Sequence, residues 1–118
     1  MNKARSRPSS VKAPVRFGVR SLSFEKMQGS CEDVSRILKS LSHSQRLLIM
    51  GRLLDGPKTV TELVGCCKSS QSQISQFLIR MKFEGLLESA KKGKFQYYQI
   101  KDQRMVRLLK VLYQEFCS

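Results

Sequence analysis

The stretch from Ser69 to Ile100 constrains the fold of this chain more than any other segment. It reads SSQSQISQFLIRMKFEGLLESAKKGKFQYYQI. Ser70 and Gln73 form a capping-box pattern that marks the start of a helix, and Gly85 is suited to end that helix. Two strand-like segments follow around Gly93, which supplies the positive φ of a hairpin turn. The order is that of a recognition helix followed by a wing.

Helix patterns also dominate the chain before this stretch, from Phe24 onward. Ser42 and Gln45 resemble a second capping box, opening a helix over about residues 43–54. That helix is apolar around most of its circumference, so we expect it to be buried. An apolar stripe with spacings of three and four predicts a first helix before it, formed by Met27, Cys31, Val34, Leu38 and Leu41 and widened by Ile37.

The segments after the second helix predict a helix-turn-helix. Residues 58–60 suit a very short strand, and a third helix of about two turns runs from Thr61 to near Cys67. The fourth helix runs from its cap at Ser70 to about Phe83. Its inner face carries Ile74, Phe77, Leu78 and Met81, and its outer face carries Ser72, Ser75, Gln76 and Arg80. Two short helices joined by a tight turn, the second polar outside, form this motif.

The C-terminal third predicts a wing and a last helix. Strands over 86–91 and 95–100 make the hairpin, and Asp102 is suited to cap a helix that reaches Phe116. The apolar positions of that helix are Met105, Leu109, Leu112 and Phe116, extended to a second side by Val106, Tyr113 and Cys117. This surface exceeds what one core needs and predicts a dimer interface. The fold class is therefore mainly α with a small β-hairpin wing, a dimeric winged helix-turn-helix of five helices.

The net charge of the chain narrows the range of functions to be considered. The 118 residues favour one domain, and a net charge of +13 with a pI of about 10.1 is typical of proteins that bind nucleic acid. Residues 1–22 are basic and lack apolar periodicity, so we expect a disordered arm before a folded domain over 23–118. The arm adds phosphate contacts, is only a solubilising leader, or results from a start codon assigned too far upstream.

Several classes of protein are not favoured by the sequence. It contains no run of about 18 apolar residues and no secretory signal, so we expect no membrane contact and a cytoplasmic protein with reduced thiols. It also lacks a Gly-rich phosphate loop, a pair of catalytic carboxylates and a Cys/His nucleophile pattern. We therefore expect no enzyme activity and no cofactor.

Three runs of the chain carry a family resemblance: LKSLSHSQRLLIM, TVTELVGCCKSSQSQISQFL and EGLLESAKKGKFQYYQI. Over about residues 30–117 they resemble the ArsR/SmtB winged-helix repressors, and most of all the subgroup that includes HlyU, BigR and SqrR. Members of that subgroup sense redox state or reactive sulfur. The resemblance implies a homodimer, joined through its first and last helices, that represses a promoter until an inducer binds.

The fourth helix and the wing supply the candidate contacts to double-stranded DNA. Gln and Ser offer donors and acceptors to base edges in the major groove, whereas Arg and Lys suit phosphates. The candidate contact residues are Ser70, Gln71, Ser72, Gln73, Ser75, Gln76, Arg80, Lys91, Lys92 and Lys94. Lys82 is a further candidate for a phosphate contact, and Tyr97 and Tyr98 are expected to be packing residues.

The metal-sensing motifs of the family do not transfer to this chain. Such members commonly carry Cys-x-Cys in the third helix or Asp/His pairs on the last. The matching third-helix segment, residues 60–64, has no thiol, and the last helix has no histidine. His43 lies at a helix start, where a capping or solvent role is expected. No metal site is predicted.

The sulfur-sensing subgroup uses one cysteine in the second helix and one at the end of the last helix. Cys117 fits the second position, but the first falls on Gly51. Cys31 is then the candidate redox partner of Cys117, because the resemblance places the first and last helices together. The alternative is that Cys31 is a small apolar residue of its stripe. Cys67 is expected in the core, and Cys66 is a candidate ligand for a soft metal or thiophile.

The sequence thus predicts a DNA-binding transcriptional regulator, a homodimeric repressor released from its operator by thiol oxidation or persulfidation. The expected inducer is small and either thiophilic or oxidising. Two alternatives stay open. One is a metal-responsive or non-sensing regulator of the same family, and the other is a winged-helix module that binds RNA or protein.

Overall fold

The computed structural model describes residues 23–117, and its elements follow the predicted order. The five α-helices within this range are α1 Phe24–Ser40, α2 Ser44–Arg52, α3 Val60–Val64, α4 Gln71–Phe83 and α5 Gln103–Phe116. Strands β1 Leu87–Lys92 and β2 Phe95–Ile100 lie between α4 and α5. The basic arm predicted over residues 1–22 lies outside the described residues. No helix within residues 23–117 is long and apolar enough to cross a membrane.

The chain divides into two compact units. The first unit ends at Cys31 and contributes the beginning of α1, which starts where the Ser23 hydroxyl accepts a hydrogen bond from the Lys26 backbone N–H (3.2 Å). The second unit runs from Glu32 onward and contains the end of α1 together with all the later helices and strands. The site described below therefore belongs entirely to the second unit.

The start of α2 differs from the prediction. Ser42 is not its N-cap, because the Ser42 hydroxyl donates to the Lys39 carbonyl at 2.7 Å and so satisfies the end of α1. His43 is the N-cap instead, and its Nδ1 accepts a hydrogen bond from the Gln45 backbone N–H at 3.1 Å. The predicted capping role of His43 is confirmed, while the capping box proposed for Ser42 and Gln45 is wrong.

Helix α2 is buried on one side only. Ile49 and Met50 are fully buried, whereas Leu47 and Leu48 remain 38% and 45% exposed. The expectation that this helix is buried therefore holds for one of its sides only within a single chain. The core covers one side of α2, and a hydrophobic pattern alone does not tell a covered side from an exposed one.

Two capping boxes define the helix-turn-helix. Thr59 and Glu62 form one at the start of α3, which ends at Val64 and is shorter than predicted. Ser70 and Gln73 form the predicted one at the start of α4. The strand expected over 58–60 is reduced to an isolated bridge, in which the backbones of Lys58 and Tyr98 exchange hydrogen bonds of 3.0 and 2.9 Å.

The core brings together one face of each later element. Ile74, Leu78 and Met81 of α4 are fully buried, as predicted, and Phe77 is half-buried. Met105 and Leu109 of α5 complete the core, while the far end of that helix stays exposed. The remaining buried apolar residues are Leu41, Ile49, Met50, Leu53, Leu63, Cys67, Leu86, Leu87 and Ile100. Removing one such side chain from water contributes about 1.5–3 kcal/mol.

The wing is a two-stranded antiparallel hairpin. Leu87 lies opposite Ile100 at its base, and Lys92 lies opposite Phe95 at its tip. The base pair is buried, whereas every residue over 90–96 is exposed. Gly93 has φ of 64°, the left-handed conformation that favours glycine, and so makes the predicted turn. The hairpin is thus anchored in the core while its tip extends into solvent.

Candidate nucleic-acid interface

Helix α4 presents mostly neutral polar side chains on its outer side. Gln71, Ser72, Gln76 and Arg80 are exposed and Ser75 is half-buried, while the opposite face holds the helix in the core. Within the described residues, none of these five side chains takes part in a hydrogen bond or an ion pair. Their donors and acceptors are therefore available to base edges and phosphates.

Two of the predicted contact residues are engaged in capping α4. The Ser70 hydroxyl accepts a hydrogen bond from the Gln73 backbone N–H (3.2 Å), and Gln73 Oε1 accepts one from the Ser70 backbone N–H (3.0 Å). These bonds satisfy amide groups that have no partner inside the helix. Ser70 and Gln73 thus determine where α4 begins and which way Gln71 and Ser72 point. Direct contact of either capping residue with DNA stays a prediction.

The tip of the wing concentrates positive charge. Lys91, Lys92 and Lys94 are exposed, and no carboxylate of the described residues pairs with them. Unpaired lysines on an extended hairpin suit contacts with phosphate groups. The structure therefore brings the predicted lysines together on one exposed element, next to the end of α4.

Lys82 differs from the lysines of the wing tip. Its Nζ donates to Ser89 Oγ of β1 at 2.7 Å, and Gln96 Nε2 of β2 donates to the same oxygen at 2.8 Å. A hydroxyl oxygen has two lone pairs, so Ser89 accepts both bonds. This ammonium thus links the recognition helix to both strands of the wing, and because it has three donors its predicted contact with a phosphate stays a prediction.

The base of the wing contains the two tyrosines predicted to be packing residues, and a lysine with a balanced charge lies beside it. Tyr97 and Tyr98 are half-buried, and Tyr98 packs against the core, as expected of packing residues. The Lys58 ammonium beside Asp55 lies 2.6 Å from the carboxylate and holds the pKa of Asp55 below its ordinary value. The charge of Lys58 is therefore balanced within the protein, unlike the charges at the tip.

Sequence reasoning missed a buried arginine. Arg46 lies in the first part of α2, and its side chain is only 9% exposed. Its guanidinium donates to both carboxylate oxygens of Glu84, at 3.1 and 3.4 Å, and also to the backbone carbonyl (3.2 Å) and the hydroxyl of Ser40. The available signal was a charged residue inside the apolar run of α2.

The carboxylate of Glu84 receives enough hydrogen bonds to remain charged. Burial raises the pKa of Glu84, but hydrogen bonds from Ser40 (2.8 Å) and Arg46 outweigh burial and leave the pKa below its ordinary value. Glu84 is the C-terminal cap of α4, and Ser40 is the last residue of α1. This cluster, the Arg46–Glu84–Ser40 network, joins the ends of α1 and α4 to the start of α2.

The cysteines fall into two groups. Cys31, Cys66 and Cys117 are exposed, whereas Cys67 is buried in the core as predicted. Cys66 and Cys67 have their sulfurs 3.8 Å apart. Burial, with a smaller effect of the hydrogen bond to Cys66, raises the pKa of Cys67 to about 11 and keeps it a thiol at neutral pH. Over residues 23–117 no three His, Cys, Asp or Glu side chains group as a metal site requires.

Recognition helix, turn and basic wing together define a winged helix-turn-helix DNA-binding protein. Residues 43–89 match the family described as "Bacterial regulatory protein, arsR family". The chain is 35% identical over 92 residues to the HTH-type transcriptional regulator YgaV of Escherichia coli K12, which covers 77% of this chain and 93% of that relative. This chain belongs to the ArsR family of bacterial DNA-binding transcriptional regulators, which are not enzymes.

Solved structures agree with this assignment. The crystal structure of the transcriptional repressor BigR from Xylella fastidiosa matches with a TM-score of 0.77 at 29% identity, covering 82% of this chain and 99% of that one. The solution structure of the homodimeric winged helix-turn-helix domain of Mb0332 from Mycobacterium bovis matches with a TM-score of 0.64 at 26% identity, covering 80% and 86%. The predicted family, its resemblance to BigR and the winged helix-turn-helix fold are confirmed.

Proposed function

We propose that this protein is a homodimeric, operator-specific transcriptional repressor that acts in the cytoplasm, where its operator lies. Helix α4 enters the major groove, and the wing lysines hold the phosphate backbone beside it. The observation that carries the proposal is a row of polar side chains on α4 that make no hydrogen bond within the described residues, next to unpaired lysines; Gln71, Ser72 and Gln76 are exposed and Ser75 is half-buried. Neutral amides and hydroxyls can read base edges, while ammonium groups that contact phosphates bind every sequence alike.

The proposed dimer is supported by apolar side chains that a single chain leaves exposed. Val34 and Leu38 of α1 are 42% and 51% exposed, and Val111 and Phe116 of α5 are 52% and 81% exposed. Burying such side chains against a second copy removes apolar surface from water. A two-fold dimer presents two copies of α4 to half-sites about one helical turn apart. The homodimeric relative from Mycobacterium bovis supports the same assembly.

The test of DNA reading is a comparison between operator and random duplex. The operator is selected from a pool of random duplexes, and affinities are measured for Gln71→Ala and Ser75→Ala. Each lost base contact is expected to reduce discrimination by about 1–3 kcal/mol. The matched control, Lys92→Ala with Lys94→Ala, is expected to weaken both duplexes equally and to flatten the salt dependence. Unchanged specificity after replacing Gln71, Ser72, Ser75 and Gln76 together would contradict the assignment.

We further propose that the repressor is released by chemistry at Cys31 and Cys117. Both thiols are exposed, and Cys67 is unsuited because its buried thiol stays protonated. A hydroperoxide would oxidise the two thiols to one disulfide, with its two oxygens leaving as water and as the alcohol or a second water. A persulfide donor would instead transfer its outer sulfur atom to one thiolate and leave as a thiol, and the second thiolate would then displace hydrosulfide to form the same disulfide.

The sensing proposal is tested with mass spectrometry beside operator binding. Peroxide or a persulfide donor is expected to lower operator affinity in the parent, and Cys31→Ser and Cys117→Ser are each expected to abolish that response. Cys66→Ser is the control, because Cys66 is also exposed but lies in the turn before α4. A response that survives both serine variants would reject the pair.

A further inference from the structure

We propose that Arg46 is a positioning residue for DNA recognition, acting with its neighbour Gln45 to hold both ends of the recognition helix. This inference rests on the proposed function, since it concerns how α4 is aimed at the operator. In this proposal the first turn of α2 fixes the direction of α4 relative to the end of α1, residues 32–40.

The two ends of α4 are held by consecutive residues of α2. Before the helix starts, the Ser69 hydroxyl donates to Gln45 Oε1 at 2.9 Å. Where it ends, the guanidinium of Arg46 donates to both oxygens of Glu84. A helix of 13 residues is about 20 Å long, so two adjacent side chains reach opposite ends of the element that carries the base contacts.

The Arg46–Glu84–Ser40 network extends this hold to α1. The Ser40 hydroxyl accepts from the guanidinium of Arg46 and donates to Glu84 Oε1 at 2.8 Å, which closes a triangle of three side chains. No buried side-chain nitrogen or oxygen of a non-exposed residue within 23–117 lacks a partner, so the buried guanidinium of Arg46 leaves no buried donor unpaired. A bidentate fork constrains both distance and direction, which a single apolar contact does not.

Stability alone does not explain a charged residue on the inner side of α2. The Arg46 side chain is 9% exposed and its partner Glu84 is 30% exposed, so the guanidinium is largely removed from water. Burying a charge is costly, and an apolar residue of similar volume is often as stable or more stable in such a place. Ile49 and Met50 lie in the same helix and show that its inner side accepts apolar residues. What the ion pair adds is a defined geometry between helices, which a site that reads base edges needs.

The test replaces the ion pair by an apolar pair. The variant Arg46→Met with Glu84→Met is expected to fold with thermal stability equal to or above that of the parent. Its operator affinity is expected to fall about tenfold or more while its affinity for random duplex stays the same. The matched control is Arg52→Met, which removes an arginine of the same helix from an exposed pair with Asp55 and should change neither affinity. A stable double variant with parental discrimination would overturn the proposal.

A second measurement needs no DNA. Residual dipolar couplings of backbone N–H groups report the angle between α4 and residues 32–40 of α1. In the double variant the two segments are expected to stay helical but to adopt a changed or averaged relative orientation. Couplings that fit the parental orientation would overturn the inference, even if the parent proved to discriminate no duplex and the proposed function itself failed.

A conservative variant covers the case in which the double variant does not fold. Arg46→Lys keeps the charge but loses the bidentate fork. It is expected to fold and to lose part of the operator discrimination, with Gln45→Ala losing a part as well. Parental discrimination and parental couplings in Arg46→Lys would overturn the positioning role.

Discussion

Ser70 offers a sharp distinction between a residue that positions the recognition helix and one that touches DNA. The sequence places it among the contact residues, whereas the structure engages its hydroxyl with the backbone N–H of Gln73 at 3.2 Å. We expect Ser70→Ala to act through the stability of α4. The reciprocal bond from the Ser70 backbone to Gln73 Oε1, at 3.0 Å, survives this change because it does not involve the serine side chain.

The expected loss of folding stability in Ser70→Ala follows from the loss of one of the two hydrogen bonds of the capping box. Replacing an N-cap serine by alanine typically costs about 1 kcal/mol. For a domain of this size that shifts the midpoint of thermal unfolding by about 4–8 °C. Ser70→Asp keeps an acceptor at the cap and adds a favourable charge at the helix start, so it should restore the midpoint. Ser72→Ala is the control, because Ser72 is exposed and makes no hydrogen bond within the described residues.

The assay is thermal unfolding followed by circular dichroism, beside binding to operator and random duplex. A capping role predicts a lower midpoint for Ser70→Ala and a similar loss of affinity for both duplexes. Ser70→Asp should regain stability yet bind both duplexes more weakly, because it adds a negative charge at the start of the helix proposed to approach DNA phosphates. An unchanged midpoint in Ser70→Ala, together with lost operator discrimination, would refute this reasoning and make Ser70 a base contact.

Three further predictions follow from the fold. Gly93→Ala places a side chain at φ of 64° and should destabilise the protein by about 1–2 kcal/mol in urea unfolding, with Gly93→Asn losing less; equal stability of all three proteins would contradict the turn geometry. Hydrogen bonds hold the folded-state pKa of Glu84 below its ordinary value of 4.5. The contribution of Glu84 to folding stability is therefore fully present above pH 4.5 and is lost as the pH falls through the folded-state pKa. Glu84→Gln should therefore be less stable than the parent at pH 7, and the gap should narrow in acid; a gap independent of pH would count against the charged pair. Phe116→Asp should convert the proposed dimer to a monomer in sedimentation, whereas Lys110→Asp on the same helix should not, since Lys110 is exposed and polar; a dimer in both variants would move the interface elsewhere.

Local chemistry made most of the fold predictable from the sequence. The cap at Ser70, the cap at Asp102 and the turn at Gly93 each depend on residues close in the chain, and all three occur as expected. The inner face of α4 was also predictable, because helical periodicity relates residues three and four apart. At the start of α2 both Ser42 and His43 could serve as the N-cap, and the sequence pattern alone did not decide between them.

The misses share a different cause, because they depend on partners far away in the chain. Arg46 meets Glu84 across 38 positions, and nothing near Arg46 in the sequence indicates that pairing. The hydrogen bond of Lys82 to Ser89 likewise depends on how the wing folds back beside α4, although its phosphate contact stays a prediction. The exposure of Leu47 and Leu48 depends on which side of α2 the core covers, and periodicity does not contain that information.

The proposed DNA interface combines two elements of different chemistry. Gln71, Ser72, Ser75 and Gln76 give α4 neutral polar side chains, whereas the tip of the wing is cationic. Ammonium groups supply affinity that falls with salt, by a slope of about 0.9 per phosphate contacted, but they do not distinguish sequences. Lys82, Ser89 and Gln96 join the two elements. In the proposed complex, a wing bound to the phosphate backbone would therefore also set the register in which α4 meets the bases, and sequence reading by the uncharged side chains would depend on the position set by the charged ones.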